Sequence, residues 1–473
     1  MDKVGSKKRV IISLIFTAIW IAVYFIVPFE GLDAAGKLAL VVFLWALTMW
    51  IIRPIPEYII AMSAVTLLMV FGGVGVGKVT SGFSGSSWWV ILFACMLGGM
   101  LTVTGLGERI AYAILLKMGT SHLKVSYATT ISTIILSAFT PSGTARGAII
   151  SSITDGICNS MGYKPGEYKG DHGLMLSNLY ANAACTWIFL TAGGSTIIGT
   201  GLLLEMTGRS IGWIDYFVAA SVPCLILFAL IPLICYKLFP VDKNAAPPDL
   251  TFVREHLAKM GKISKREKTG LVIMCVIFAL WLTQNLTGFD ANTVAFILGV
   301  ALLFPTFGPV KWKEIESIIP WRMLLWLGFA LSLASYVNST GGFEWLVNTL
   351  FVGTPLFESL SFNGMLMLLI PIIIFAHIMF SGLDAMVTIL VPIAITIAQA
   401  RGFDVYTFGL ICLMACVTGA YFLPFNMAPN MIFMGTGRFN VSHQLKGGVI
   451  IAIITCLLFY LCLFVWWPIV GIL

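Results

Sequence analysis

Two short polar motifs, half a chain apart and each set between apolar stretches, constrain this chain most. The first is Pro141-Ser142-Gly143-Thr144-Ala145-Arg146-Gly147 and the second is Phe380-Ser381-Gly382-Leu383-Asp384-Ala385. The flanking apolar stretches run to about fifteen residues, short of the roughly 20 a helix needs to cross a bilayer. A run that stops at a polar tip and then resumes is expected to be a re-entrant helical hairpin. Its freed backbone groups are tolerated at membrane depth only where protein, water or ligand satisfies them. Two such breaks in corresponding halves of a chain point to the substrate site of a transporter.

The rest of the composition agrees with a polytopic membrane protein. The 473 residues are 59% hydrophobic and 10% charged, with a mean hydropathy of +0.97, against about 25% charged residues in a soluble domain. The first apolar run, 10–28, has no small-residue cleavage site and is long enough to span, so no cleavable leader is expected. The ten cysteines lie almost all in apolar segments without metal-type spacing. Even Cys412 and Cys416, on one helix face, are best explained as small buried hydrophobes.

Orientation accounts for the net charge of +7, so it does not indicate nucleic-acid binding. Placing the N-terminus and the basic segment 242–268 in the cytoplasm leaves Lys37, Lys78, Arg209 and Arg401 outside and Arg146 within the membrane. The other lysines and arginines fall inside, which satisfies the positive-inside rule. The expected location is the cell membrane, multi-pass, with a cytoplasmic N-terminus and an outside C-terminus.

The expected fold is all-α, with about eleven transmembrane helices in two inverted repeats, each holding a re-entrant hairpin and a broken helix. Scaffold helices of the first repeat occupy 1–72, with spans at 10–28, 37–52 and 57–72. A transport region follows at 73–238. It contains a span at 88–104, an amphipathic stretch at 105–124, an inner hairpin at 125–162, a broken span at 175–205 and a span at 212–238. A cytoplasmic basic linker, 239–269, divides the halves. The second repeat has scaffold helices in 270–320, with spans at 270–287 and 291–305 and an interfacial piece at 311–319. Its transport region, 321–473, has a span at 321–340, an outer hairpin at 363–400, a broken span at 405–436 and a last span at 447–470.

Landmarks besides the tips recur in the same order, at offsets of 233 to 236 residues, against 239 for the tips. Thr104-Gly105 with Glu108 returns as Thr340-Gly341 with Glu344, Phe189-Leu190 as Phe422-Leu423, and Gly199-Thr200-Gly201 as Gly435-Thr436-Gly437. One hairpin enters from each side, so the repeat is inverted.

The tips and breaks supply the candidate substrate-binding residues: Ser142, Gly143, Thr144, Arg146, Thr191, Gly193, His377, Ser381, Gly382, Asp384, Asn426, Ala428 and Pro429. Helix N-termini at the tips attract anions, hydroxyls add donors, and Gly143 and Gly382 allow close approach to backbone. Packing glycines at a kink are the plainer reading of one motif alone, but not of the symmetrical set. Arg146 and Asp384 are ionisable groups at membrane depth, functional by default. Arg146 can clamp a carboxylate or form a self-neutralising pair with Asp384. His377, one turn before Ser381, either faces the tip or is a packing residue. Gly82-Phe83-Ser84-Gly85 matches an intramembrane serine protease weakly, with His377 as the one candidate base for Ser84, so no enzyme is expected. The linker is expected to be a solvated cytoplasmic face.

These residues, taken together, resemble the divalent anion/sodium symporter (DASS) family, whose members carry succinate, malate, citrate, 2-oxoglutarate or sulfate. The resemblance covers nearly the whole chain. It rests on Gly82-Phe83-Ser84, on Thr104-Gly105-Leu106-Gly107-Glu108-Arg109, on Ile315-Glu316-Ser317-Ile318-Ile319-Pro320-Trp321, on the two tips and on Ala428-Pro429-Asn430-Met431-Ile432. It implies a homodimer whose protomers each have a scaffold and an elevator-like transport domain. The family's tips read Ser-Asn-Thr, but here they read Ser142-Gly143-Thr144 and Ser381-Gly382-Leu383. The positions four before each tip serine, which offer sodium ligands in coupled members, hold Ala138 and His377. Pro-Ser-x-Thr-Ala-Arg looks like the exchanger branch. The resemblance therefore implies exchange of di- or tricarboxylates, with fixed positive charge from Arg146 and His377 in place of mobile sodium. The alternative is a sodium-coupled dicarboxylate symporter. No cofactor is expected, and the departures count against sodium as one.

Overall fold

The computed structural model describes residues 7–119, 121–140, 142–242, 246–350, 354–380 and 382–473. Among the described residues the secondary structure is helical and no strand occurs. The helices of eight residues or more are labelled in chain order. The first are α1 (Lys7–Ile26), α2 (Ala34–Ile52), α3 (Glu57–Gly72), α4 (Ser86–Thr104), α5 (Leu106–Met118), α6 (His122–Phe139), α7 (Gly143–Ser160), α8 (Lys169–Ile188), α9 (Gly194–Thr207) and α10 (Trp213–Leu238). The second half contributes α11 (Thr251–Lys259), α12 (Lys265–Leu282), α13 (Ala291–Leu303), α14 (Trp321–Ser339), α15 (Gly342–Leu350), α16 (Phe362–Ala376), α17 (Leu383–Ala400), α18 (Val405–Cys416), α19 (Ala428–Gly435) and α20 (Val441–Leu461).

Six of the described helices are long and apolar enough to cross a membrane alone, and α14 with α15, bent by 67°, makes a seventh. Shorter apolar helices, α3, α13, α16 and α18, add to these. Both hairpins occur where the polar tips fall. The arms of the first are α6 and α7, and those of the second are α16 and α17. Ser142 caps α7 by accepting from Ala145 N–H at 3.2 Å, one of the donors that a helix start leaves free. The broken spans are α8–α9, interrupted at 189–193, and α18–α19, interrupted at 417–427 by a 3-10 turn at Pro424–Asn426.

The packing has the symmetry of the sequence landmarks. α8 lies against both arms of the first hairpin, and α18 against both arms of the second. The second half of each broken span crosses over: α19 packs on α7 and α9 on α17. Gly105 and Gly341, paired by the repeat, both take positive φ, +76° and +72°, where a side chain would be strained. α8 is the centre of the molecule, with every residue from Gly170 to Ile188 buried.

The remaining helices surround this core. α14 packs on α2 and α3. The backbone of Gly82 comes so close to α14 that a Cβ would sit 2.2 Å from the Gly328 carbonyl, and Gly82 N–H donates to Ser332 Oγ at 2.9 Å. α4 packs on α13. The linker is less solvated than its charge suggests. α11 buries Val253, and Phe252 covers Gly156 of α7, while Arg109 of α5 holds Glu267 at 2.5 Å.

Candidate functional site

The two tips and the two breaks meet around one cavity of about 800 Å³. Ser142, Gly143 and Thr144 line it from the first tip, and Gly382 and Asp384 from the second. Gly193 contributes from the first break, and Ala428 and Pro429 from the second. Gly143 is wedged against the opposite repeat: a Cβ there would lie 3.2 Å from Pro429 Cγ. Ser381 lies outside the described residues.

Arg146, Thr191, His377 and Asn426 do not line the cavity. They are buried one layer behind it, and this differs from their expected direct contact with substrate. The physical reason is the free backbone carbonyls at the breaks, which need donors at that depth. The Arg146 guanidinium turns to them. Its Nη1 donates to the carbonyls of Thr140 and Ala192, the latter at 2.8 Å, and its Nε donates to Asn182 Oδ1 at 3.2 Å. Nη2 is buried without a partner. Thr191 donates to the Ala138 carbonyl at 3.1 Å. Asn426 Nδ2 donates to the carbonyls of His377 and Phe380, both at 2.7 Å.

His377 precedes the second tip, where Arg146 follows the first, and it too lies against backbone carbonyls. Its Nδ1 lies 2.8 Å from the Ile374 carbonyl and its Nε2 lies 2.9 Å from the Cys416 carbonyl. A neutral imidazole has one N–H and can serve only one of them, whereas the imidazolium serves both. Each repeat thus aims a basic side chain at carbonyls beside its tip and its break. Arg146 and Asp384 form no ion pair: the guanidinium is engaged behind the first tip, while Asp384 faces the cavity. Ser84 donates to the Ser81 carbonyl at 2.8 Å, so Ser84 and His377 make no nucleophile–base pair.

Several lining residues were not among the sequence candidates. Arg53 and Glu57, from the turn between α2 and α3, form an ion pair at the cavity wall. Arg53 is the one non-glycine residue with positive φ, +53°, among the described residues. Its Nη2 lies 3.8 Å from where a Gly382 Cβ would be. Trp50, Cys95, Met323 and Trp326 complete that wall. A second space of about 980 Å³ carries Arg9 and Arg322. Six residues, including Arg53, Glu57 and Asp384, line both spaces, so the two are continuous. Asn182, on α8, holds the first tip as Asn426 holds the second. The signal for it was present, since Asn178 and Asn182 stand one turn apart in an apolar run. Among the described residues, no group of three or more His, Cys, Asp and Glu is arranged to hold a metal.

Two inverted sets of hairpin and broken helix around a midchain cavity define a multi-pass membrane transporter, and not an enzyme. The chain matches the family described as the sodium:sulfate symporter transmembrane region over residues 7–473, and it belongs to that family. It is 27% identical to the L-tartrate/succinate antiporter of Escherichia coli O157:H7, a match covering 95% of this chain and 96% of that one. It is also 27% identical to the chloroplastic dicarboxylate transporter 1 of Spinacia oleracea, covering 99% and 82%. The crystal structure of the Alcanivorax borkumensis YdaH transporter superposes with a TM-score of 0.57 at 14% identity. That match covers 86% of this chain and 89% of the other, a likeness of fold.

Proposed function

We propose that the protein exchanges one di- or tricarboxylate for another across the cell membrane without sodium. The observation that carries this reading is the placement of Arg146 and His377 on backbone carbonyls. Backbone carbonyls beside a tip and a break are the oxygen ligands that a sodium ion would need there. The Arg146 Nη1 takes those of Thr140 and Ala192, and the His377 ring faces those of Ile374 and Cys416. The residues present do not fit a sodium ion at either place.

Fixed charge has a consequence that mobile sodium lacks. A carrier without anion keeps a buried cation near the tips, and moving it through the membrane unneutralised is costly. Return therefore needs a counter-substrate. Ser142, Thr144 and the N-terminus of α7 offer donors to a carboxylate, and the free N–H groups of Arg146 Nη2 add charge from behind. The names of the antiporter and of the chloroplastic transporter support a dicarboxylate as substrate.

In the same reading, residues 1–72 and 270–320 form a static scaffold through which two protomers pair. The regions 73–238 and 321–473 carry the site as an elevator, and the linker 239–269 joins them on the cytoplasmic side. The N-terminus is cytoplasmic and the C-terminus outside. The arginines of the second space then face the cytoplasm, so the cavity opens inward. Proteoliposomes loaded with succinate should take up labelled succinate in sodium-free buffer, and empty liposomes should not. Accumulation under a sodium gradient with no internal anion would sink this reading in favour of sodium-coupled symport.

A further inference from the structure

Asp384 is an acid in a cavity read as a dianion site. It stands in the first turn of α17, and the repeat pairs it with Ala145, so the first tip has no counterpart. Its carboxylate lines the cavity and, among the described residues, receives no hydrogen bond and no ion pair. The other acid of the cavity wall, Glu57, is already paired with Arg53. Arg9 and Arg322 share the second space with Asp384 but are exposed, so solvent screens their charge, and Tyr58 and Cys95 are the remaining ionisable side chains of the two walls. The acids on the other helices packed against α17, Glu205 on α9 and Glu344 on α15, line neither space.

Charge then has to balance inside one cavity. Arg146 supplies one positive charge near the tips, and the Arg53–Glu57 pair is neutral. A doubly ionised dicarboxylate already exceeds that charge, and an ionised Asp384 would add to the excess. Carboxylates crowded into one cavity do not all stay ionised, because like charges at close range raise proton affinity. We infer that Asp384 is a proton site that fills as the dicarboxylate binds. One proton passes from solvent to an Asp384 carboxylate oxygen on binding and returns when the substrate leaves. Exchange of like for like moves no net proton, so pH acts on affinity and not on driving force. This inference rests on the dicarboxylate reading above.

The test uses the full-length purified chain with succinate as probe, in weak buffer with a pH indicator, and follows binding by calorimetry. Between about pH 7 and 9 succinate stays doubly ionised, since free carboxyl groups titrate near 4. The wild type should take up close to one proton per succinate bound, and its affinity should fall up to about tenfold per pH unit. Asp384→Asn should bind with no proton uptake and with affinity flat in pH. Wild-type binding without proton uptake, or uptake unchanged in the Asn variant, overturns the inference. If the Asn variant binds nothing, Asp384→Glu decides: uptake retained supports the proton site and uptake lost overturns it. A wild type that binds neither succinate nor malate removes the dicarboxylate reading itself, a separate result.

Discussion

Asn182 donates its Nδ2 to the Gly143 carbonyl at 3.0 Å while its Oδ1 accepts from Arg146. One buried amide therefore fixes both the backbone of the first tip and the basic group behind it. Asn182→Leu keeps the volume and removes both bonds. Leaving buried groups unpaired costs about 1–3 kcal/mol each, so counterflow should fall by about one order of magnitude or more. Unchanged counterflow by a well-folded variant would show that the tip is held in some other way.

Arg146→Gln should abolish or sharply weaken exchange. The Thr140 and Ala192 carbonyls lose a charged donor, and each buried acceptor left unpaired costs about 1–3 kcal/mol. Lysine should rescue poorly, since one ammonium cannot reproduce a planar group that reaches Asn182 and two carbonyls together. Adding Asp384→Asn should not restore activity, because the two side chains are not partners. Recovery in the double variant, measured as counterflow in sodium-free buffer, would mean that they pair during transport.

Arg438 is predicted to lock the base of the two repeats together. Its fully buried side chain reaches Asp171 at 3.2 Å and Asp155 at 2.7 Å, and it also bonds Asn159 and the Tyr163 carbonyl. Arg438→Met leaves Asp171 buried and uncompensated, at a cost of about 3–5 kcal/mol. Thermal unfolding in detergent should shift down by several degrees, and Arg438→Met with Asp171→Leu should recover part of the loss.

The linker anchor gives a pH prediction. Burial raises the proton affinity of Glu267, but hydrogen bonds from Arg109 and Ser264 outweigh it and hold the carboxyl below its usual range. A depressed folded-state value means that the stabilisation is present above the unfolded value and lost as pH falls through the folded one. Protease nicking near 246–264 should therefore stay low at neutral pH and rise only in acid, below about pH 4. In Glu267→Gln it should be raised already at pH 7.

The hairpins and breaks were legible because serine, glycine and proline interrupt apolar runs, and the repeat fixed which interruptions correspond. Directions of side chains were not. Arg146 announces a charge at membrane depth, but its partners are carbonyls of Thr140 and Ala192, and backbone carbonyls leave no mark on a sequence. Arg53 and Glu57 looked like the end of a span because charges commonly flank one. Only the packing of α14 on α2 and α3 brings that turn to the cavity wall. The amides of Asn182 and Asn426 were visible as polar residues, yet nothing local shows that each reaches across to a tip.

The last prediction concerns the missing tip asparagine. Restoring it with Gly143→Asn should not create sodium coupling. The Thr140 and Ala192 carbonyls stay engaged by Arg146, and a side chain at 143 meets Pro429 Cγ at 3.2 Å and Arg146 Nη2 at 3.6 Å. The proline ring cannot rotate away, so overpacking should cost about 1–3 kcal/mol and lower exchange for Asn and Ala alike. A drop shared by both substitutions marks crowding, while a drop with Asn alone marks the amide against Nη2. Sodium-stimulated succinate uptake by the single Gly143→Asn variant, absent in the wild type, would mean that Arg146 does not hold the cation's place.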